Sequence, residues 1–429
     1  MRIRRVLALL VVLLFSATSA MAGGFRLPEA GAKAMGMGFA FTAQADDPSA
    51  IYFNPAGIVQ LEGQNIKVGV TYVKENGATF TGATPLTGGF SVSETQKDLD
   101  FFIPNFFWTR KASPNFAYGV GIFSPFGLGQ EYENKNTSIF RNQITKIDLM
   151  TLVINPTVAY KVNDFLSIGA GIDYMYGSAI LEKTPFAPSL GGNLYNSKLD
   201  GDGDAWGFNL GALLTPVENL SVGLSYRSQF VLDIDDGDVE IRNINGPTSA
   251  TFFGGATSFD TEGAATINMP ATLDLGVAYI FDRLTLEVDA SWTFWHSFRS
   301  LNINIKDEIP PVLVDTSSPK NWDDVVAIYV GGEYRVTDPL ALRLGFRYDP
   351  TPVPAETMGA ELPDSDRLYY CAGAGYKVNN WTFDLAYMYI DKKDRTVSNI
   401  RPEGSNVVGF DGTWSRDAHL VAFDIGYKF

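Results

Sequence analysis

The closing stretch "HLVAFDIGYKF" sets Val421, Phe423, Ile425, Tyr427 and Phe429 on one side of an extended chain, with Ala422, Asp424, Gly426 and Lys428 on the other. A period of two is the signature of a strand whose two faces meet different surroundings. The same split recurs in "PLALRLGFRYD", where Leu340, Leu342, Leu344, Phe346 and Tyr348 oppose Arg343, Arg347 and Asp349. It recurs in "RLTLEVDASWTFWHSF", where Leu284, Leu286, Val288 and Trp292 oppose Glu287, Asp289 and Ser291. Strands of a soluble sandwich also alternate, but run only ~5–6 residues and need a second sheet. These runs are longer, as befits tilted strands of ~9–11 residues or more that cross a bilayer.

Candidate strands begin near Asn65, Asp98, Asn115, Asp148, Asp164, Asp204, Asn219, Thr266, Arg283, Trp322, Pro339, Asp366, Trp381 and Thr413. Terse turns such as "KASP", "VND", "TPVEN", "TDP" and "VNN" alternate with long polar stretches at roughly 76–97, 125–147, 183–203, 233–265, 300–320, 350–365 and 391–412. Short connections on one rim and long ones on the other belong to outer-membrane barrels. The predicted fold class is therefore all-β: a transmembrane antiparallel β-barrel of about fourteen strands, with both termini at the short-turn rim. Opposite the apolar stripes lie glycines such as Gly169, Gly171, Gly207, Gly211 and Gly223, with Asp173, Asp274, Glu333, Arg335, Arg343 and Arg347. Charges facing lipid are costly, so this face is assigned to the lumen. The small residues there leave room for contents; curvature of a coiled sheet is the competing reading.

The ends narrow the picture. Arg2, Arg4 and Arg5 precede "VLALLVVLLF", and small residues end at Ala22, which reads as an export signal over 1–22 cleaved before Gly23. Its apolar run is short for a membrane span, and no later run reaches the ~18 residues of a spanning helix. Cys371 is the single cysteine, which leaves neither an internal disulfide nor a thiolate metal site. Loss of the three leader arginines takes the formal charge from −15 to −18, a balance unsuited to nucleic acid. The acidic string "DGDGDAW", with Asp200, Asp202 and Asp204, lacks the downstream glutamate of a calcium loop and is read as a solvated loop. His296 and His419, the two histidines, show no neighbouring serine and acid, so no catalytic residue, metal or cofactor is expected.

Between the leader and the first strand, residues 23–60 carry Phe25, Met35, Met37, Phe39, Phe41, Tyr52 and Phe53 in a mixed, glycine-rich background. This is too little apolar surface for a separate core and too much for a free tail. The segment is therefore expected to pack as a plug inside a barrel formed by 61–429. In "FNPAG", Pro55 keeps Asn54 out of helical geometry, and the Asn54 side chain can bond nearby backbone.

"GGF" at Gly23, "ADDPSAIYFNPAG", "INMPATLDLG", "DPTPVPAETMGAELPDSDRLYYCAGAGY" and the terminal "DIGYKF" together resemble the FadL family of outer-membrane transporters for long-chain fatty acids and related hydrocarbons. The resemblance implies a barrel closed by an N-terminal hatch that includes Asn54, Pro55 and Ala56. It further implies capture of cargo at the outer loops, passage to an apolar pocket, and sideways release through a kink in the third strand. By position, Phe25 abuts the pocket, Lys183 meets a carboxylate, and Gly127 sits at the kink with Pro125 as a local addition. A second basic position of the family falls near Lys320, with Asp323 nearer in register.

Read directly, the residues also favour apolar cargo. Phe186, Phe252, Phe253 and Phe259 lie in loop segments, and Phe123, Val153, Met175, Leu213, Tyr329, Met388 and Ile390 point inward; a porin for polar solutes lines its bore with polar groups instead. Burying an alkyl chain gains ~0.8 kcal/mol per methylene, whereas a half-exposed carboxylate contact at Lys183 adds ~1 kcal/mol and chiefly orients. Three classes are weighed: a transporter of hydrophobic molecules, a gated diffusion porin for small polar solutes, and an adhesin or lipase-like barrel. The first is favoured, in the outer membrane of a Gram-negative-type bacterium. Expected partners are hydrophobic cargo, outer-membrane lipid and lipopolysaccharide, with the barrel a monomer.

Overall fold

A computed structural model describes residues 23–403 and 406–429, without the side chains of Glu403 and Asn406. The expected export signal, 1–22, lies outside the described residues. The chain forms a closed antiparallel barrel of 14 strands. They are β1 (Gln64–Glu75), β2 (Leu99–Ser113), β3 (Phe116–Phe123, resumed at Gly127–Glu131), β4 (Lys146–Asn163), β5 (Leu166–Lys183), β6 (Asn196–Val217) and β7 (Leu220–Arg227, resumed at Phe230–Arg242). There follow β8 (Phe259–Met269, resumed at Thr272–Phe281), β9 (Leu284–Thr293, resumed at Ser300–Ile305), β10 (Thr316–Pro319, resumed at Val325–Arg335), β11 (Leu340–Asp349), β12 (Arg367–Val378), β13 (Trp381–Ser398) and β14 (Asp411–Lys428). The ring closes where β1 pairs with β14 from Asn65 opposite Lys428 to Glu75 opposite Ala418. Closure removes sheet edges, which a bilayer cannot solvate.

Alternation becomes an inside and an outside. On β9, Thr285, Glu287, Asp289 and Ser291 are buried while Leu286 is exposed; on β11, Leu344 is 71% exposed while Arg343 and Arg347 are buried. Arg335, assigned to the lumen by parity, is exposed at the short-turn rim, where its guanidinium donates to the Asp282 carbonyl. The inward-assigned Phe123, Val153, Met175, Leu213, Tyr329, Met388 and Ile390 are all buried.

The strands outrun the apolar pattern. β6 begins at Asn196, so Asp200 and Asp202 belong to a strand with an irregularity against β7, not to the solvated loop expected at 183–203, and Asp204, the expected start of a strand, already lies well within it. β7 likewise runs to Arg242 and β8 starts at Phe259, which shortens the loop expected at 233–265. Above the hydrocarbon both faces of a strand meet water, so the ladder continues after the alternation has ended.

Residues 23–60 cross the lumen. Helix α1 (Ala32–Gly36) packs on β11 to β14, while α2 (Ala50–Phe53) and the 3₁₀ turn Pro55–Gln60 pack on the opposite arc, β2 to β6. Met35, Met37, Phe39 and Phe41 are at most 1% exposed. The irregular backbone between the helices is served by carboxylates on the wall. Asp289 Oδ2 accepts from the Phe41 and Thr42 amides at 3.0 Å each, Glu287 from Ala43 and Gln44 at 2.6 and 3.0 Å, and Asp424 Oδ2 from Ala32 at 2.6 Å. Hydrogen bonds to charged groups contribute ~1.5–3 kcal/mol each, and here they satisfy donors that have no secondary-structure partner. Lys67 on β1 joins Asp47 of the segment (2.8 Å) to Asp424 of β14 (2.9 Å). Burial alone would push the Asp47 carboxyl up, but Lys67 and Lys33 hold it at about 2.

Wall glycines mark the closest approach. A Cβ on Gly169 would fall 2.5 Å from the Ala56 nitrogen, and one on Gly211 would fall 2.2 Å from Asn54 Oδ1. Glycine lets the wall touch the segment's backbone at Gly169 and the Asn54 and Pro55 side chains at Gly211, so curvature is not its sole use.

Candidate ligand cavity and strand break

Above the crossing segment lies an apolar cavity with about 690 Å³ of unfilled space, part of it continuous with solvent. Its floor is Phe25, 5% exposed. That ring meets Trp295, Phe298 and Trp322 with centroids 4.8, 5.6 and 5.6 Å away, and Phe126 at 6.0 Å. The box is assembled by strand interruptions. β9 leaves its ladder at Thr293 and rejoins at Ser300, turning Trp295 and Phe298 into the lumen, and β10 breaks between Pro319 and Val325, delivering Lys320 and Trp322. Leu128 of β3 and Leu149 of β4 line the wall on another side.

The end of the segment is clamped from the long connection between β11 and β12. Asp364 accepts from the Gly24 amide at 3.0 Å and also pairs with Arg367, whose guanidinium donates to the Gly24 carbonyl at 2.8 Å. Thr351 Oγ1 donates to the same carboxylate at 2.7 Å, and Arg395 ties the loop through the Val353 and Asp364 carbonyls at 2.7 and 2.8 Å. Gly24 has φ +70°, and a Cβ there would fall 2.7 Å from both tryptophan rings. Nearby, Glu29 is buried with Oε2 unpartnered, and burial outweighs Arg347 and Arg367 to push its carboxyl up to about 7.

The same segment fills the gap in β3. The ladder stops at Phe123 and resumes at Gly127; between them the Leu27 amide donates to the Pro125 carbonyl (2.8 Å) and the Gly127 amide to the Phe25 carbonyl (3.0 Å). Thr151 satisfies Phe126, donating to its carbonyl at 2.6 Å. A proline lacks the ladder donor and glycine tolerates the bend, which accounts locally for the break. Beyond it, β3 pairs with β4 but meets β2 only at the rim, where the Lys97 amide donates to the Glu131 carbonyl at 2.9 Å and Gln96 bridges Tyr132. The β2–β3 ladder proper begins at Phe106 opposite Ile122. Among the described residues, 99–105 of β2 therefore have no ladder partner on the β3 side. Phe101 occupies that window: a Cβ on Gly129 would fall 2.3 Å from its ring.

The remaining sequence-assigned positions fall in several places. Asn54 donates to the Thr42 and Ala212 carbonyls at 2.8 and 3.0 Å and accepts from the Ala56 amide at 3.2 Å, with Pro55 opening the 3₁₀ turn. Phe252 ends the outer-loop helix α3 (Gly246–Phe252), and Phe253 packs on Tyr195 and Phe259 in a second apolar cluster that shares Leu181 and Leu199 with the cavity wall. Lys320 lines the cavity; Lys183, at the outer end of β5, does not. Trp295, Phe298, Trp322 and Glu361 were not singled out from the sequence. The consecutive aromatics of "TFWHSF" interrupt alternation, and that was the available signal. His296 pairs with Asp324 at 2.8 Å on the exposed side, and His419 bonds Tyr387, so neither borders the cavity.

The family model described as outer membrane protein transport protein (OMPP1/FadL/TodX) matches residues 13–429. The chain belongs to this family. Among curated relatives, outer membrane protein P1 of Haemophilus influenzae is 26% identical over 469 residues, and the long-chain fatty acid transport protein of Escherichia coli O6:H1 is 28% identical over 456, each covering 98% of both chains. A Pseudomonas aeruginosa FadL homologue superposes with a TM-score of 0.83 at 20% identity, covering 95% of this chain and all of that one. The toluene transporter TbuX of Ralstonia pickettii gives 0.64 at 20% identity, covering 93% and 98%. These structural likenesses concern the fold. As a FadL/TodX-type protein, the chain is an outer-membrane transporter of hydrophobic compounds, not an enzyme.

Proposed function

We propose that the protein takes up hydrophobic molecules of the class of long-chain fatty acids or related hydrocarbons and releases them sideways into the outer membrane. Cargo is gathered at the outer apolar cluster around Phe253, moves past Leu181 and Leu199 into the cavity, and rests on Phe25. Residues 23–60 serve as a plug that closes the bore below. Exit runs past Leu128 through the window between β2 and β3. The exposed apolar belt faces lipid, lipopolysaccharide borders the long loops, and the barrel acts as a monomer.

One observation carries the reading: Phe25, which floors the cavity, belongs to the short stretch whose Phe25 carbonyl and Leu27 amide bridge the break at Pro125 to Gly127. Cargo that disturbs the floor disturbs the break. A sideways path also spares apolar cargo the aqueous periplasm, whose solvation penalty is ~0.8 kcal/mol per methylene. In the test, Gly127→Phe is placed in proteoliposomes beside the unaltered protein. A Cβ at Gly127 would fall 2.7 Å from Leu27 Cδ1. Uptake of labelled fatty acid and toluene should drop at least about tenfold while ligand binding and barrel formation persist. Unchanged uptake removes the window from the mechanism, and flux of a small sugar in place of apolar cargo establishes the porin reading.

A further inference from the structure

Among the described residues, Lys320 and Glu361 are the only charged ones lining the cavity, and they pair with each other. Lys320 is 7% exposed, so its ammonium is offered to the cavity interior, not to bulk water. Glu361 is brought there by a loop fixed at several points. Gln130 Nε2 donates to the Ala360 carbonyl at 3.0 Å, Tyr132 to the same oxygen at 3.3 Å, and Asn399 Nδ2 to the Ala355 and Met358 carbonyls at 2.8 Å each. Thr357 Oγ1 donates to the Lys320 carbonyl, joining the two arms directly. The pair is thus held from both sides and does not result from two long side chains meeting by chance. Burial alone would push the Glu361 carboxyl up; the Lys320 ammonium, their hydrogen bond and Arg401 reverse this and keep it below the usual carboxylate range.

We propose that Glu361 sets the cargo class: by occupying Lys320 it leaves the cavity without an unpaired cation, so the site takes uncharged apolar molecules such as alkanes, alkylbenzenes and long-chain alcohols in preference to fatty-acid anions. A carboxylate entering this cavity has two arrangements. It sits beside the Glu361 carboxylate, where like charges repel, or it displaces Glu361 from Lys320 and strands a buried charge, the costly way to break an ion pair. A neutral molecule disturbs neither charge and binds through the apolar surface it removes from water. Substrate selection here is by refusal of the wrong charge as much as by attraction of the right shape.

The inference rests on the cavity being the cargo site, and the experiment separates the two. Equilibrium binding of radiolabelled decan-1-ol and decanoate, of equal chain length, is measured on the whole folded barrel at neutral pH. The unaltered protein should prefer the alcohol about tenfold or more, and Glu361→Gln should raise decanoate affinity relative to decanol about tenfold. Equal binding of the two by the unaltered protein overturns the proposal, as does an unchanged ratio in Glu361→Gln. Should that variant not fold, as read by heat-dependent gel mobility, the ratio in the unaltered protein decides alone. Binding of neither ligand refutes the cavity as cargo site, whereas a preference for decanoate refutes only the role of Glu361.

Discussion

Replacing Phe25 with alanine isolates what the aromatic floor contributes. Burying a ring of this size stabilises by ~1.5–3 kcal/mol, and edge-to-face partners such as Trp295 and Phe298 add ~0.5–1.5 kcal/mol each. Taken together these agree with the ~3–5 kcal/mol typical of a buried Phe→Ala change. The backbone ties of the segment do not involve the ring: Gly24 stays on Asp364, Arg26 stays on Ser291 at 2.8 Å, and Leu27 stays on Pro125. The segment should therefore remain threaded but open more often, by a factor of roughly 10² to a few times 10³ at 1.4 kcal/mol per decade. Hydrogen exchange reads this directly, because the Leu27 and Gly127 amides are bonded across the break at 2.8 and 3.0 Å. Both should exchange faster by that factor, while ladder amides of β13 against β14 do not change. Affinity for an apolar ligand should fall in the same variant. Unchanged exchange at Leu27 and Gly127 would refute the claim that the Phe25 side chain secures the floor.

Two further outcomes follow from the contacts of the N-terminal segment. Glu29 carries a folded-state pKa raised from 4.5 to about 7, so the folded segment binds its proton more tightly than the open one. Its closure should be strongest below about pH 4.5 and weaken by ~1.4 kcal/mol per pH unit up to about 7; in exchange measurements corrected for intrinsic rates, Glu29→Gln should abolish that slope, and a slope that persists would assign it elsewhere. Gly211→Val would drive a methyl-bearing carbon to within 2.2 Å of Asn54 Oδ1. Overpacking of this kind costs ~1–3 kcal/mol, so limited proteolysis near Asn54 and ion leak through bilayers should both rise with the barrel intact, and tight, protease-resistant barrels would contradict the contact.

What the sequence revealed depended on which force wrote the signal. Lipid on one side and a packed lumen on the other wrote alternation into Leu340 to Asp349 and Val421 to Phe429, so strands, number and inward parity were legible. Beyond the hydrocarbon that force vanishes, which is why Asp200 and Asp202 read as loop although they lie in β6. The cavity was legible only through its ends: Phe25 and Lys320 line it, but their neighbours Trp295, Phe298 and Trp322 arrive through departures from the ladder that no period predicts. Glu361 was the least visible. It sits in a polar connection, and its meaning comes from a partner 41 positions away.

The crossing segment and the wall are also incomplete without each other. Free in water, the amides of Phe41 to Gln44 would be hydrated and the segment would lack a core. Inside the barrel those amides meet Asp289 and Glu287, which are at most 1% exposed. An empty lumen would strip the two neighbouring carboxylates of these backbone donors and leave their like charges side by side. The wall charges are therefore intelligible only as half of a structure whose other half is backbone. Their removal should loosen the N-terminal segment before it unfolds any strand, because the ladders of β9 with β8 and β10 are backbone bonds that do not depend on those side chains.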